Sequence, residues 1–215
     1  TQMTLSQKIV LAILKPLSRI FLSWKVKGRE NVPLNGPLVV VANHIHLVDG
    51  ILLALSLPRW INFMAKQELF RYPFLRIIFR WAQAFSVPRR GTIKDKRETV
   101  KQAKEILKKG LVLGMFPEGK RNHNGKLLPG KSGSAVIASQ MGVALLPIGI
   151  TGTEKLKGIN WLWKRPSIVI NIGQPFELPS SDGRLTKSQT KMSTDLMMTK
   201  IAALLPPENR GAYGD

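Results

Sequence analysis

The chain has 215 residues with 33 Lys and Arg against 13 Asp and Glu, a formal net charge of +20, and 44% of it is hydrophobic. Apolar content of this size in a chain of this length supports one folded domain with its own core and argues against disorder. With no cysteine a disulfide scaffold, a thiol nucleophile, a Cys-ligated zinc and an iron–sulfur cluster are excluded, and the positive surplus calls for a polyanionic partner: nucleic acid, an anionic membrane surface, a phosphorylated substrate or an acidic carrier protein.

In residues 1–24 the longest unbroken apolar run is six residues, 9–14, against roughly 20 needed to span a bilayer. Lys15-Pro16 interrupts it where a secretory signal would continue its apolar centre. On a helix, Lys8, Lys15 and Arg19 share one face, while Leu5, Ile9, Ile13, Leu17, Ile20 and Phe21 gather on the other. A helix lying in a membrane interface, with Trp24 at its end, fits this pattern, and so does an amphipathic helix docked on the core. Pro16, which lacks a backbone donor, is expected to kink or divide the helix.

Residues 37–42 form a continuous apolar run rich in Val, the pattern of a strand buried on both faces. An apolar helix is expected near 49–57, a short strand near 61–64, a Phe- and Arg-rich helix over 70–82 and a short extended segment ending at 85–91. A polar helix over 94–109, with Val100, Ala103, Ile106 and Leu107 at helical spacing, leads into a strand at 111–115. A helix at 134–141 precedes a strand at 144–150, another strand covers 167–172, and a loop from 178 and a helix over 188–205 close the chain. Strands alternating with helices predict an α/β fold: a single αβα domain, residues 31–215, with a largely parallel central sheet, preceded by an N-terminal amphipathic helical segment, residues 1–30.

Ligands of such sheets bind beyond the carboxyl ends of the strands, and the unusual polar residues lie there. Asn43-His44-Ile45-His46-Leu47-Val48-Asp49-Gly50 follows the first strand, and Phe116-Pro117-Glu118-Gly119-Lys120-Arg121 follows the strand at 111–115. A carboxylate five residues after a histidine, across a tight turn, can hold the imidazole in one tautomer as a general base for a hydroxyl. A structural His44 beside a helix-capping Asp49 is the alternative. No Ser or Cys stands out as a nucleophile, which favours direct transfer to a substrate hydroxyl. Lys120 and Arg121 after Gly119, Lys131 between Gly130 and Gly133, and Arg89-Arg90 are suited to phosphate. His44, His46 and Asp49 also offer a metal-ligand set that spacing does not exclude. His123 reads as a solvated turn residue.

Together these blocks resemble the glycerolipid acyltransferases. Asn43 to Asp49 is similar to their Asn-His-x-Ser-x-x-Asp signature, with His46 in place of Ser. Phe116 to Arg121 is similar to their Phe-Pro-Glu-Gly-Thr-Arg block, with Lys120 in place of Thr. The Arg-containing block 86–90 lies between them and Leu146-Pro147-Ile148 follows, as in the family. The nearest resemblance is to the bacterial 1-acyl-glycerol-3-phosphate acyltransferases, which make phosphatidic acid. It implies His44 as general base, Asp49 as its orienting acid, and Arg89, Arg90, Glu118, Gly119, Lys120, Arg121 and Lys131 as the site for the acceptor's glycerol phosphate. It further implies an acyl thioester on coenzyme A or acyl carrier protein as co-substrate, no other cofactor and no metal. The N-terminal segment becomes a membrane-docking element of a peripheral or monotopic protein on the cytoplasmic face, held by an anionic surface.

Two other classes compete. A nucleic-acid-binding module suits the charge, but no zinc-finger or RNA-recognition signature is present, and Phe70, Tyr72, Phe74, Phe79 and Trp81 fall in an apolar segment suited to core or to an acyl-chain channel. A hydrolase of the same thioesters would use the same base on water.

Overall fold

The structure, a computed structural model, describes residues 3–66, 85–87, 92–158, 161–179 and 185–214. Along the chain run α1 (Leu5–Phe21), β1 (Ser23–Lys27), β2 (Leu38–Ala42), α2 (Val48–Ser56), β3 (Ile61–Lys66), β4 (Phe85–Val87), α3 (Ile93–Lys108), β5 (Val112–Met115), α4 (Gly133–Met141), β6 (Leu145–Thr151), α5 (Trp161–Lys164), β7 (Ser167–Ile172) and α6 (Lys187–Ala202). The helix expected over 70–82 lies outside the described residues, as do Arg89 and Arg90.

Among the described residues seven strands form one sheet in the order β1-β7-β6-β2-β5-β3-β4. Every pairing is parallel except β6 with β7, so β1 and β7 run against the other five. β2 lies between β5 and β6 and is buried along its whole length. Its residues alternate between two cores, as the two-residue period of a strand requires. Val39 and Val41 face a core built with Ala103 and Leu107 of α3, Ala135 and Ile137 of α4 and Met197 and Ile201 of α6. Leu38, Val40 and Ala42 face the other, with Leu52 and Leu53 of α2 and Ile148, Ile168 and Ile170 of the neighbouring strands. Helices therefore cover both faces, the layering expected from the sequence.

Two expectations are corrected. Residues 23–27, counted in the N-terminal helical segment, are a strand, β1, paired in register with β7 from Ser23 opposite Ser167 to Lys27 opposite Asn171. Pro16 does not divide α1, which runs through it as one helix. Ala12 and Pro16 are both exposed, so the carbonyl that Pro16 cannot serve can turn to water. α1 lies against α2 and β1 through a face that includes the buried Gln7 and the half-buried Leu11, Leu14 and Ser18. The apolar stripe Leu5, Ile9, Ile13, Leu17, Ile20 and Phe21 is turned outward, between 41 and 75% exposed.

At the end of β2 the sheet is extended by a side chain. Asn43 is buried, its Oδ1 accepting from the Ile150 N–H at 2.7 Å and its Nδ2 donating to the Ile150 carbonyl at 2.8 Å. The carboxamide thus takes the place of a ladder residue and aims the following turn. Asn43→Ala strands a buried donor and a buried acceptor, each costing about 1–3 kcal/mol; the variant's Tm should fall by several degrees in a thermal melt.

Candidate active site

α2 begins at Val48 with no side-chain cap from Leu47, and Asp49 in its first turn folds back over the chain that leads into it. One oxygen, Asp49 Oδ2, accepts from His44 Nδ1 at 2.9 Å, from the Ile45 N–H at 2.7 Å and from the His46 N–H at 2.7 Å. Asp49 is fully buried, whereas the His44 side chain is 18% exposed. A carboxylate only accepts, so Nδ1 carries the proton and Nε2 is left as the ring's acceptor. The His44 ring stacks on Phe116, centroids 3.9 Å apart and 14° from parallel, and Phe116 stacks in turn on Phe63 at 5.9 Å. Phe63 reaches this place because β5 carries Gly114 beneath it, where any Cβ would lie 2.6 Å from the Phe63 ring.

The second loop is sewn to the first through its backbone. Glu118, 3% exposed, accepts from the His44 N–H at 2.7 Å and from the Leu128 N–H at 2.9 Å, one bond on each oxygen. The Asn122 N–H donates to the His44 carbonyl at 2.8 Å. Glu118 was expected among the groups that meet the acceptor; it lies instead beneath the site with both oxygens occupied, and acts on His44 through the main chain. Burial pushes its carboxyl up to about 7, against the opposing pull of the two N–H bonds.

The cationic residues stand above this buried layer. Lys120, Arg121 and Lys131 are exposed. Gly119 has φ +67, and a Cβ there would sit 2.6 Å from Lys131 Nζ, so the lysine side chain is laid across the bare Gly119 backbone. The Lys131 N–H donates to the Pro117 carbonyl at 2.8 Å, holding that crossing in place. His46 lies beside His123, centroids 6.5 Å apart. Burial holds the His46 imidazole below its ordinary value, Asp49 opposes this, and Arg121, His123 and His44 add to it. Among the described residues no group of three or more His, Asp or Glu side chains is arranged to hold a metal ion: Asp49 Oδ2 faces His44, and His46 Nδ1 accepts from the Val48 N–H at 3.4 Å.

The structure thus brings His44, Asp49, Glu118, Gly119, Lys120, Arg121 and Lys131 to one end of the sheet. Phe116 and Asn43, which head the two sequence blocks but were given no role there, and Asn122 join them as positioning residues. Phe116 was legible as the residue that follows β5, but its ring contact with a histidine 72 positions earlier in the chain (116 − 44) was not.

The profile of the Acyltransferase family matches residues 23–151. The chain is 30% identical over 182 residues to the 1-acyl-sn-glycerol-3-phosphate acyltransferase of Bacillus subtilis, covering 84% of this chain and 87% of that protein. It is also 30% identical over 182 residues to the chloroplastic 1-acyl-sn-glycerol-3-phosphate acyltransferase LPAT1 of Arabidopsis thaliana, covering 82% of this chain and 50% of that protein. The chain spans about half the length or less of several curated relatives, including those of Arabidopsis thaliana, Brassica napus and Borreliella burgdorferi. The crystal structure of the 1-acyl-sn-glycerophosphate acyltransferase PlsC from Thermotoga maritima superposes with a TM-score of 0.69 at 28% identity, over 92% of this chain and 80% of that one.

The raised Glu118 carboxyl carries a sign. The native state holds this proton up to about pH 7 and the unfolded chain only to about 4.5, so this group's contribution to stability is present at low pH and declines as pH rises between those values. Glu118→Gln cannot titrate and loses one of the two acceptors. In thermal melts from pH 4.5 to 7 the wild type's Tm should fall relative to that of Glu118→Gln; a constant difference would mean that Glu118 is ionised throughout.

Proposed function

The chain belongs to the Acyltransferase family, and we propose that it moves a fatty acyl chain from an acyl thioester to the free hydroxyl of 1-acyl-glycerol-3-phosphate, giving phosphatidic acid. The observation that carries this reading is the His44–Asp49 pair at the carboxyl end of β2, its His44 side chain part-exposed, with an exposed cationic loop beside it. Nε2 takes the proton of the acceptor hydroxyl as its oxygen attacks the thioester carbonyl. The tetrahedral intermediate then collapses, the C–S bond breaks, and the proton passes from the imidazolium to the leaving thiolate. Asp49 stabilises the imidazolium and holds the tautomer. Lys120, Arg121 and Lys131, with Arg89 and Arg90 as the family pattern suggests, bind the acceptor's phosphate through charge-assisted hydrogen bonds. The names of the Bacillus and Thermotoga relatives support this acceptor.

The donor is an acyl chain on coenzyme A or acyl carrier protein, both anionic and so drawn to a chain of charge +20; no metal or further cofactor takes part. Among the described residues no helix is long and apolar enough to cross a membrane. The outward apolar stripe of α1 and the basic surface support peripheral attachment to an anionic leaflet, on the cytoplasmic face.

Two measurements test this. His44→Ala should lower kcat by about 10²–10⁴-fold with little change in Tm, Asp49→Asn should do comparable damage, and His46→Ser should keep most activity with or without chelator. An inactive, metal-depleted His46→Ser protein would overturn the base assignment in favour of a metal site. Separately, Arg121→Ala should cost about 10–150-fold in acceptor kcat/KM, the worth of one charged hydrogen bond of about 1.5–3 kcal/mol, while thioester hydrolysis without acceptor suffers less.

A further inference from the structure

A second cationic feature lies on the same edge of the sheet, away from His44. β1 and β7 begin side by side at Ser23 and Ser167, and β7 runs antiparallel to β6 with Val169 opposite Thr151. Their starts therefore lie where β2, β5 and β6 end, and the strand order puts the start of β1 three strand spacings, roughly 14 Å, along that edge from β2. Here the last turns of α1 and the residue after α5 enclose an open cleft of about 600 Å³ lined by Lys15, Pro16, Arg19, Ile20 and Arg165.

Three of these five side chains are cationic, and among the described residues none of the three pairs with a carboxylate. The two arginines are also held in place. Arg165 Nη2 donates to the Arg19 carbonyl at 2.7 Å, and Arg165 is the non-glycine residue with positive φ, 42°, among those described. The Arg19 guanidinium lies over the Trp24 ring at 5.7 Å, and Trp24 Nε1 donates to Ser18 Oγ at 3.2 Å. Gathering like charges without a counter-ion is unfavourable, and the Lys15 ammonium registers this: burial first, then Arg29 and Arg19, hold it below its ordinary value. The remaining wall is apolar. Pro16 and Ile20 continue into the outward stripe of α1, and Trp163, two residues before Arg165, is 89% exposed.

We propose that this cleft is a headgroup site for an anionic phospholipid of the leaflet, separate from the acceptor site at His44. The phosphate sits among Lys15, Arg19 and Arg165, and the lipid's chains run along the apolar stripe of α1. The ligand is amphipathic because the wall is, and anionic because the three cations meet no counter-charge among the described residues. Occupied, the site seats the carboxyl edge of the sheet, and with it the outward face of His44, against the lipid surface. The proposal rests on the peripheral attachment above.

The test is binding to phosphatidylcholine vesicles with and without phosphatidylglycerol. The wild type should bind the mixed vesicles more tightly. The double variant Lys15→Gln/Arg165→Gln should lose that increment by about 30-fold, from about fivefold per basic residue. Lys94→Gln/Lys101→Gln, the same charge removed from the exposed side of α3, should keep most of it. Replacing chloride by inorganic phosphate at equal ionic strength should leave the wild type's preference unchanged, and both variants should keep the wild type's Tm. Equal losses in the two double variants would reduce the effect to net charge and overturn the site. Release of the protein by inorganic phosphate would overturn the lipid as its occupant. A wild type that binds mixed vesicles no better than neutral ones overturns this proposal and leaves standing only attachment through the apolar stripe of α1, whereas failure to bind either vesicle overturns both.

Discussion

One carboxylate oxygen organises the turn between β2 and α2. Taking a carboxylate out of water is costly unless donors meet it, and Asp49 Oδ2 is met by three N–H groups, two from the main chain and one from His44. Hydrogen bonds to charged groups contribute about 1.5–3 kcal/mol each. The chain between β2 and α2 therefore folds back on this atom, and the imidazole is carried to it as part of the turn. Glu118 does the same from the other side, holding the main chain of His44 while its second oxygen ties down Leu128. The histidine is thus fixed at ring and backbone by two buried acids from segments that are distant in sequence, with Phe116 supporting the ring's flat face.

This arrangement separates rigidity from charge. The acids that set the geometry of His44 are buried, and the cations that would meet a phosphate are exposed. The two layers connect where Lys131 crosses Gly119. A side chain at 119 would push the ammonium away as well as strain the turn, so the glycine is needed for the position of a charge on another segment. The sheet follows the same logic further down: Gly114 makes room for Phe63, Phe63 supports Phe116, and Phe116 supports His44.

The central strands were legible because β2, β5 and β6 are buried on both faces and read as continuous apolar runs. β1 was not. Its residues alternate between exposed and half-buried, with Lys25 and Lys27 outward on an edge strand, a pattern that protects an edge from further pairing and that merges in sequence with the helix before it. The pairing of His44 with Asp49 could be read from local spacing, since five residues across a turn suffice. The role of Glu118 could not, because its bond partner is a backbone amide 74 positions away, and backbone amides leave no mark in a sequence. The outward stripe of α1 was visible as a pattern, but which face of the helix met the core depended on where β1 and α2 put it.

His46 shows what such a turn demands of its side chains. Asp49 binds the main-chain N–H of residue 46, so the turn closes whatever the side chain is. The side chain has a different use: α2 lacks a cap from Leu47, and His46 Nδ1 accepts from the Val48 N–H at 3.4 Å. A hydroxyl at this position would serve the same donor, since oxygen acceptors are the usual caps of a helix start. For Nδ1 to accept, the ring must be neutral with its proton on Nε2. Burial, together with Arg121, His123 and His44, holds it there against the pull of Asp49. The imidazole therefore substitutes for a hydroxyl without adding a fixed charge beside His44, and the positive field of the site is left to Lys120, Arg121 and Lys131.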